Sequence, residues 1–116
     1  MIKSFLLSRP EPKENQVLKA VLRALELHPA IAWARRMNSG ATETISGGWV
    51  KFGFIGCPDI WAQTRAGRIV VVEVKRPSGK ATPEQVDFLR LVGSNGGVAF
   101  IARSASDVIN GLRGVE

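Results

Sequence analysis

The segment Ile69-Val70-Val71-Val72-Glu73-Val74-Lys75 constrains the fold more than any other stretch of the chain. Four β-branched residues in a row favour a strand covered on both faces, which places it at the centre of a sheet rather than at an edge. Two charges then interrupt the run near its end. Side chains two apart share one face of a strand. Glu73 and Lys75 are therefore neighbours, while Val70, Val72 and Val74 face the other way. A carboxylate and an ammonium group at the end of a buried strand carry a desolvation cost and need partners.

The chain has 116 residues, 45% of them apolar, enough for one domain with one core. A cleft must lie on the face of that domain or between copies of it. The net charge of +6 suits a polyanionic partner, nucleic acid or an anionic surface, and equally suits simple solubility. The basic residues are dispersed, with Lys13, Lys19 and Arg23 early, then Arg35 and Arg36, then Lys75, Arg76 and Lys80. The single cysteine, Cys57, excludes an internal disulfide and a cysteine-based zinc site, and fits a reducing cytosol. The single histidine, His28, excludes a histidine-cluster metal site and reads as a capping or surface residue before Pro29. Met1 to Ser8 is too short for a signal peptide, and no apolar run approaches a membrane span. A soluble, cytoplasmic protein with no membrane partner is expected.

Residues 1–12 read as an irregular N-terminal arm, and 13–116 as the domain proper. Val17, Leu18, Val21, Leu22 and Leu25 recur at helical spacing, predicting a helix from Lys13 or Glu14 to Leu27. Ile31 to Met37 reads as a strand, and Asn38 to Gly48, rich in Ser, Thr and Gly, as a loop. Strands follow at Trp49–Ile55, Asp59–Gln63 and Arg68–Lys75, the last two joined at Ala66-Gly67. Thr82 opens a helix to about Leu91 or Ser94. Val98–Ala102 is a final strand, and Ser104–Leu112 a closing helix capped by Ser104. The expected order is α-β-β-β-β-α-β-α, in an α/β or α+β class with a mixed sheet flanked by helices.

The hairpin brings a second carboxylate to Glu73. If it is symmetric about Ala66, with a loop of three or five residues, Asp59 lies opposite Glu73. Cross-strand Cβ atoms are about 4.5–5.5 Å apart. Two carboxylates that close repel unless a cation lies between them or one is protonated. A hard divalent ion suits such oxygens, and the Val74 carbonyl is placed to add another. A two-residue loop would instead send Asp59 to the opposite face. The competing reading is a turn aspartate after Pro58 and a surface Glu73–Lys75 pair.

Glu14 lies on the stripe of Leu18, Val21 and Leu25, which aims it at the sheet; it also reads as a first-turn acid favouring the helix dipole. Gln85 aligns with Phe88, Leu89 and Val92 and points inward. It also completes a capping box in Thr82-Pro83-Glu84-Gln85, and both roles are compatible if the helix start abuts the carboxylates. Arg36-Met37-Asn38-Ser39-Gly40 can grip a phosphate, or can be ordinary strand-end chemistry. Trp33, Trp49 and Trp61 can stack on bases, but their strand positions favour core packing.

Taken together, Glu14, Arg36 to Gly40, Gly56-Cys57-Pro58-Asp59, Glu73-Val74-Lys75-Arg76-Pro77 and Gly79-Lys80-Ala81-Thr82-Pro83-Glu84-Gln85 resemble the VRR-NUC domain, a branch of the PD-(D/E)xK nuclease superfamily. The resemblance runs from about Lys13 to Ile109, and the length is similar to that of stand-alone bacterial or phage-type members. It implies a restriction-endonuclease-like core and catalytic residues Asp59, Glu73, Lys75, Glu14 and Gln85. It implies Mg2+ or Mn2+ held by Asp59, Glu73, the Val74 carbonyl and Glu14. Arg36, Asn38, Ser39, Arg76 and Lys80 would contact DNA. The implied activity is structure-specific cleavage of DNA phosphodiesters, Holliday-junction resolvase-like, on branched DNA and by a homodimer whose symmetry matches a two-fold junction. A single-site flap or nicking nuclease and an inert DNA-binding module are the rival readings.

Overall fold

A computed structural model describes residues 10–37 and 40–116. Helix α1 (Glu14–Leu27) is followed by strands β1 (Ile31–Arg36), β2 (Gly40–Glu43), β3 (Trp49–Phe52), β4 (Ile60–Thr64) and β5 (Ile69–Val74). Helix α2 (Pro83–Ser94), strand β6 (Val98–Ala102) and helix α3 (Ala105–Gly111) complete the domain. The class is α/β, with a four-stranded mixed sheet in the order β1-β4-β5-β6. Strand β4 lies antiparallel to β1 on one side and to β5 on the other, and β6 lies parallel to β5 after the α2 crossover.

One element departs from the expected order. The segment read as a loop from Asn38 to Gly48 contains β2, which pairs with β3 as a separate two-stranded sheet. Gly40-Ala41-Thr42-Glu43 has only one β-branched residue and no apolar alternation, so local propensity gave no strand signal there.

Strand β5 is central and buried throughout Val70–Val74, as its run of valines requires. Its two faces have different fates. Val70, Val72 and Val74 join Ile60, Ala62, Val98 and Ala102 in the main core, under Val17, Leu18, Val21 and Leu25 of α1 and Val108 of α3. Val71 and Glu73 face the other side, which α2 covers with Leu89 and Phe88. Full burial of each aliphatic side chain contributes roughly 1.5–3 kcal/mol. The α1 face therefore carries most of the folding energy and leaves the α2 face free to hold polar groups.

Helix α1 ends where Pro29 forces it to. The His28 N–H bonds the Leu25 carbonyl, and His28 Nδ1 accepts from the Ala30 N–H at 3.1 Å, so the lone histidine shapes the turn. The tryptophans differ from expectation: Trp49 is 69% exposed and Trp33 39% exposed, and only Trp61 packs inward, its ring 6.1 Å from that of Phe88. Trp33 lies on the edge strand and Trp49 on the small second sheet, and among the described residues no second layer covers them. The Trp33 indole N–H instead donates to Gln63 Oε1 at 3.0 Å.

Candidate active site

The β4–β5 hairpin sets the site. Its pairs Ile60–Val72, Trp61–Val71, Ala62–Val70 and Gln63–Ile69 are symmetric about Ala66. The loop is Arg65-Ala66-Gly67: the Thr64 N–H bonds the Arg68 carbonyl, and the Gly67 N–H returns to the Thr64 carbonyl. Gly67 has φ +96°, a left-handed conformation expected at the end of a three-residue hairpin loop. Continued one step, this register sets Asp59 beside Glu73, on the face shared with Trp61 and Val71.

Asp59 is fixed from two sides. Its carbonyl accepts the Met37 N–H at 2.7 Å, extending β1–β4 pairing, and its Oδ2 accepts the Val74 N–H at 2.7 Å. In an antiparallel pair a residue's N–H and C=O point to the same neighbour. The Val74 carbonyl is thus directed to the side where Asp59 lies.

Glu73 is 2% exposed. Its Oε1 accepts from Gln85 Nε2 at 3.0 Å and lies 3.8 Å from Lys75 Nζ. Its Oε2 is buried with no hydrogen-bond partner among the described residues. Burial pushes the Glu73 carboxyl up to about 8; the neighbouring Asp59 carboxylate pushes the same way, Lys75 opposes, and Glu14 adds slightly. Without a cation the pair therefore holds a proton at neutral pH.

Gln85 performs two tasks at once. Its Oε1 accepts the Thr82 N–H at 2.8 Å while its own N–H bonds Thr82 Oγ1 at 3.2 Å, the reciprocal capping box. The amide nitrogen is then left to reach Glu73. The helix start is also packed against the Gly56-Cys57-Pro58-Asp59 segment. Gly56 has φ +85°, and a Cβ there would lie 2.6 Å from the Glu84 carbonyl oxygen. The glycine before Asp59 thus lets the carboxylate strand and the Gln85 helix approach.

The other residues singled out from the sequence fall at varying distances from this cluster. Glu14 opens α1 and is exposed rather than packed on the sheet, though its charge is felt at Glu73. Lys80 is exposed, and Arg76 Nε pairs with Glu11 Oε1 at 3.3 Å. Arg36 pairs with Ile60, on the α1 side of the sheet. Its neighbour Arg35 pairs with Trp61 and so shares the carboxylate face. Asn38 and Ser39 lie outside the described residues. A bulge between Ile31 and Trp33 sets the phase of β1. Nothing in Ile31-Ala32-Trp33 announces it, so Arg35 was not legible from the sequence.

The donor set fits a hard divalent ion. Two carboxylates, one with an unpartnered buried oxygen, stand beside a directed backbone carbonyl, and Mg2+ commonly takes one or two carboxylates and keeps several waters. Among the described residues no three His, Cys, Asp or Glu side chains gather at one point, which disfavours an all-protein cage. The chain matches no known family model and no curated protein sequence. Among the described residues, no helix is long and apolar enough to cross a membrane.

Proposed function

We propose that this protein is a nuclease of the VRR-NUC kind, with a restriction-endonuclease-like core, that uses Mg2+ or Mn2+ to hydrolyse phosphodiester bonds in branched DNA. The observation that carries the reading is the Asp59–Glu73 pair. A fully buried carboxylate with one orphaned oxygen, beside a second carboxylate, a lysine and an amide, is expensive as a structural feature and useful as an ion site.

Asp59, Glu73 and the Val74 carbonyl would hold the ion, with Glu14 close enough to add negative charge. When bound, it neutralises the scissile phosphate and makes hydroxide available near neutral pH. Gln85 holds Glu73 Oε1, so Oε2 is the oxygen that would help hold an ion. Asp59 is anchored through Oδ2 by the Val74 N–H, and its other oxygen would be the one available to an ion. Glu73 would have to be deprotonated to serve as a ligand. Lys75 Nζ, 3.8 Å from Glu73, orients the attacking water and steadies charge growing on the phosphate. A new bond forms from the water oxygen to phosphorus, one bridging P–O bond breaks, and the departing oxygen takes up a proton.

The assembly in this reading is a homodimer in a reducing, cytoplasmic setting, with one site per chain facing a two-fold junction. Cleavage of labelled four-way junctions and flaps side by side tests the substrate. Paired symmetric cuts in junctions, absent from flaps, are expected; efficient flap or nick cleavage by a monomer would replace the resolvase reading with a single-site nuclease. Junction binding without Mn2+-dependent cleavage would leave an inert DNA-binding module.

A further inference from the structure

The connection from β3 to Asp59 carries an exposed apolar tip. Ile55 is 85% exposed and Phe54 47% exposed. The tip is rigidly held. The Cys57 N–H bonds the Phe54 carbonyl at 3.0 Å, closing a turn with Ile55 and Gly56 at its centre. Gly56, at φ +85°, occupies the position where a type II turn needs a left-handed residue. The same glycine lies against the Glu84 carbonyl, fastening the turn to the start of α2. Behind the apex the Phe54 ring meets Phe88 edge-on at 4.8 Å, and Phe88 in turn packs on Trp61.

A single exposed isoleucine needs no explanation; its place does. Asp59 is four positions beyond Ile55, so their Cα atoms are at most about 14 Å apart. Gly56, next to Ile55, touches the peptide that leads into Gln85, whose side chain holds Glu73. Nucleotides along one strand of a duplex are spaced about 3.4 Å apart. A phosphate lying at Asp59 and Glu73 therefore has its neighbouring nucleotides, within about four positions, in reach of this tip.

We propose that Ile55, backed by Phe54, is an apolar wedge that contacts unstacked bases at the branch point and so sets the preference for branched over continuous DNA. This rests on the nuclease reading above. Isoleucine and phenylalanine are among the side chains that enter base steps as wedges, and entry costs least where the stack is already broken. The basic residues that follow Glu73, Lys75, Arg76 and Lys80, attract any phosphate backbone. The apolar tip supplies the discrimination that charge alone does not. The alternative occupant is a second copy of the chain, since Ile45 and Trp49 of the β2–β3 arm are also exposed.

The test uses the full chain with Ile55→Ser and, as the conservative control, Ile55→Leu. Wild type, bound in EDTA to a four-way junction carrying 2-aminopurine at the branch point, should raise its fluorescence. I55L should do the same, and I55S should lose most of the rise. With Mn2+, the ratio of junction to linear-duplex cleavage should fall about tenfold in I55S, equivalent to one lost apolar contact. Thermal midpoints should stay equal, because the side chain is exposed. Unchanged fluorescence and an unchanged cleavage ratio in I55S would overturn the wedge. So would a shift from dimer to monomer by light scattering, which would give the tip to a second copy. If wild type shows no Mn2+-dependent cleavage at all, the nuclease reading fails, and the fluorescence in EDTA still decides the wedge.

Discussion

Glu73 is the residue on which folding and function pull in opposite directions. Burial and Asp59 raise its pKa from 4.5 to about 8. Between those values the folded protein keeps a proton that the unfolded chain has lost. The stability this confers is complete below pH 4.5 and disappears as pH rises through 8, with a limiting slope of about 1.4 kcal/mol per pH unit. In EDTA, the urea midpoint of the wild type is expected to fall from pH 5 to pH 8 more steeply than that of Glu73→Gln, which carries no titrating group there. Mn2+ should reverse the trend, since a ligand carboxylate must be deprotonated and ion binding gains as pH rises. Superimposable pH curves for wild type and Glu73→Gln would mean that Glu73 does not hold the extra proton.

At the scale of elements, three short pieces converge: the end of β5, the Gly56–Asp59 segment and the first turn of α2. Gln85 joins two of them, so two substitutions separate its tasks. Thr82→Ala removes the cap and should cost about 1 kcal/mol in thermal denaturation. It leaves the Gln85–Glu73 bond available. Gln85→Leu should cost a similar amount and, in addition, lower Mn2+ affinity by about ten- to a hundredfold in calorimetry. Equal Mn2+ affinities in the two variants would reduce Gln85 to a capping residue. Gly56 and Gly67 form a second pair. Both have left-handed φ, but a Cβ at Gly67 meets nothing within 4 Å, whereas at Gly56 it strikes the Glu84 peptide. Gly67→Ala should cost about 1–2 kcal/mol from conformation alone, and Gly56→Ala distinctly more in the same urea titration. Much of this scale was legible in the sequence. The valine run marked the central strand, Ala66-Gly67 marked the hairpin centre that brings Asp59 to Glu73, and Thr82-Pro83-Glu84-Gln85 marked a cap. What was not legible depended on context: β2 forms from Gly40–Glu43 because β3 offers it a partner, and the bulge in β1 decides that Arg35 rather than Arg36 shares the carboxylate face.

For the whole molecule, the sheet divides labour between its faces. The α1–α3 face is a continuous apolar core, and the α2 face carries Asp59, Glu73 and Lys75 under a single helix. Concentrating stability on one side is what lets a chain of 116 residues keep the buried Glu73 carboxyl beside the half-buried Asp59 on the other. Exposure was the least readable property at this scale: Trp33 and Trp49 sit on strands, but an edge strand and a two-stranded sheet leave them uncovered. Arg65 and Arg68 each donate to a loop carbonyl, of Pro29 and Gly96, and so help tie the hairpin to the loops at its end. The central claim concerns chemistry, and one measurement reaches it most directly: Mn2+-dependent cleavage of a labelled four-way DNA junction by wild type, Asp59→Ala and Lys75→Ala, with junction binding measured alongside. Cleavage by wild type, falling at least a hundredfold in both variants while binding persists, is expected for a site whose groups act on the transition state. Cutting by the variants at the wild-type rate, or no cutting by any of the three, would contradict it.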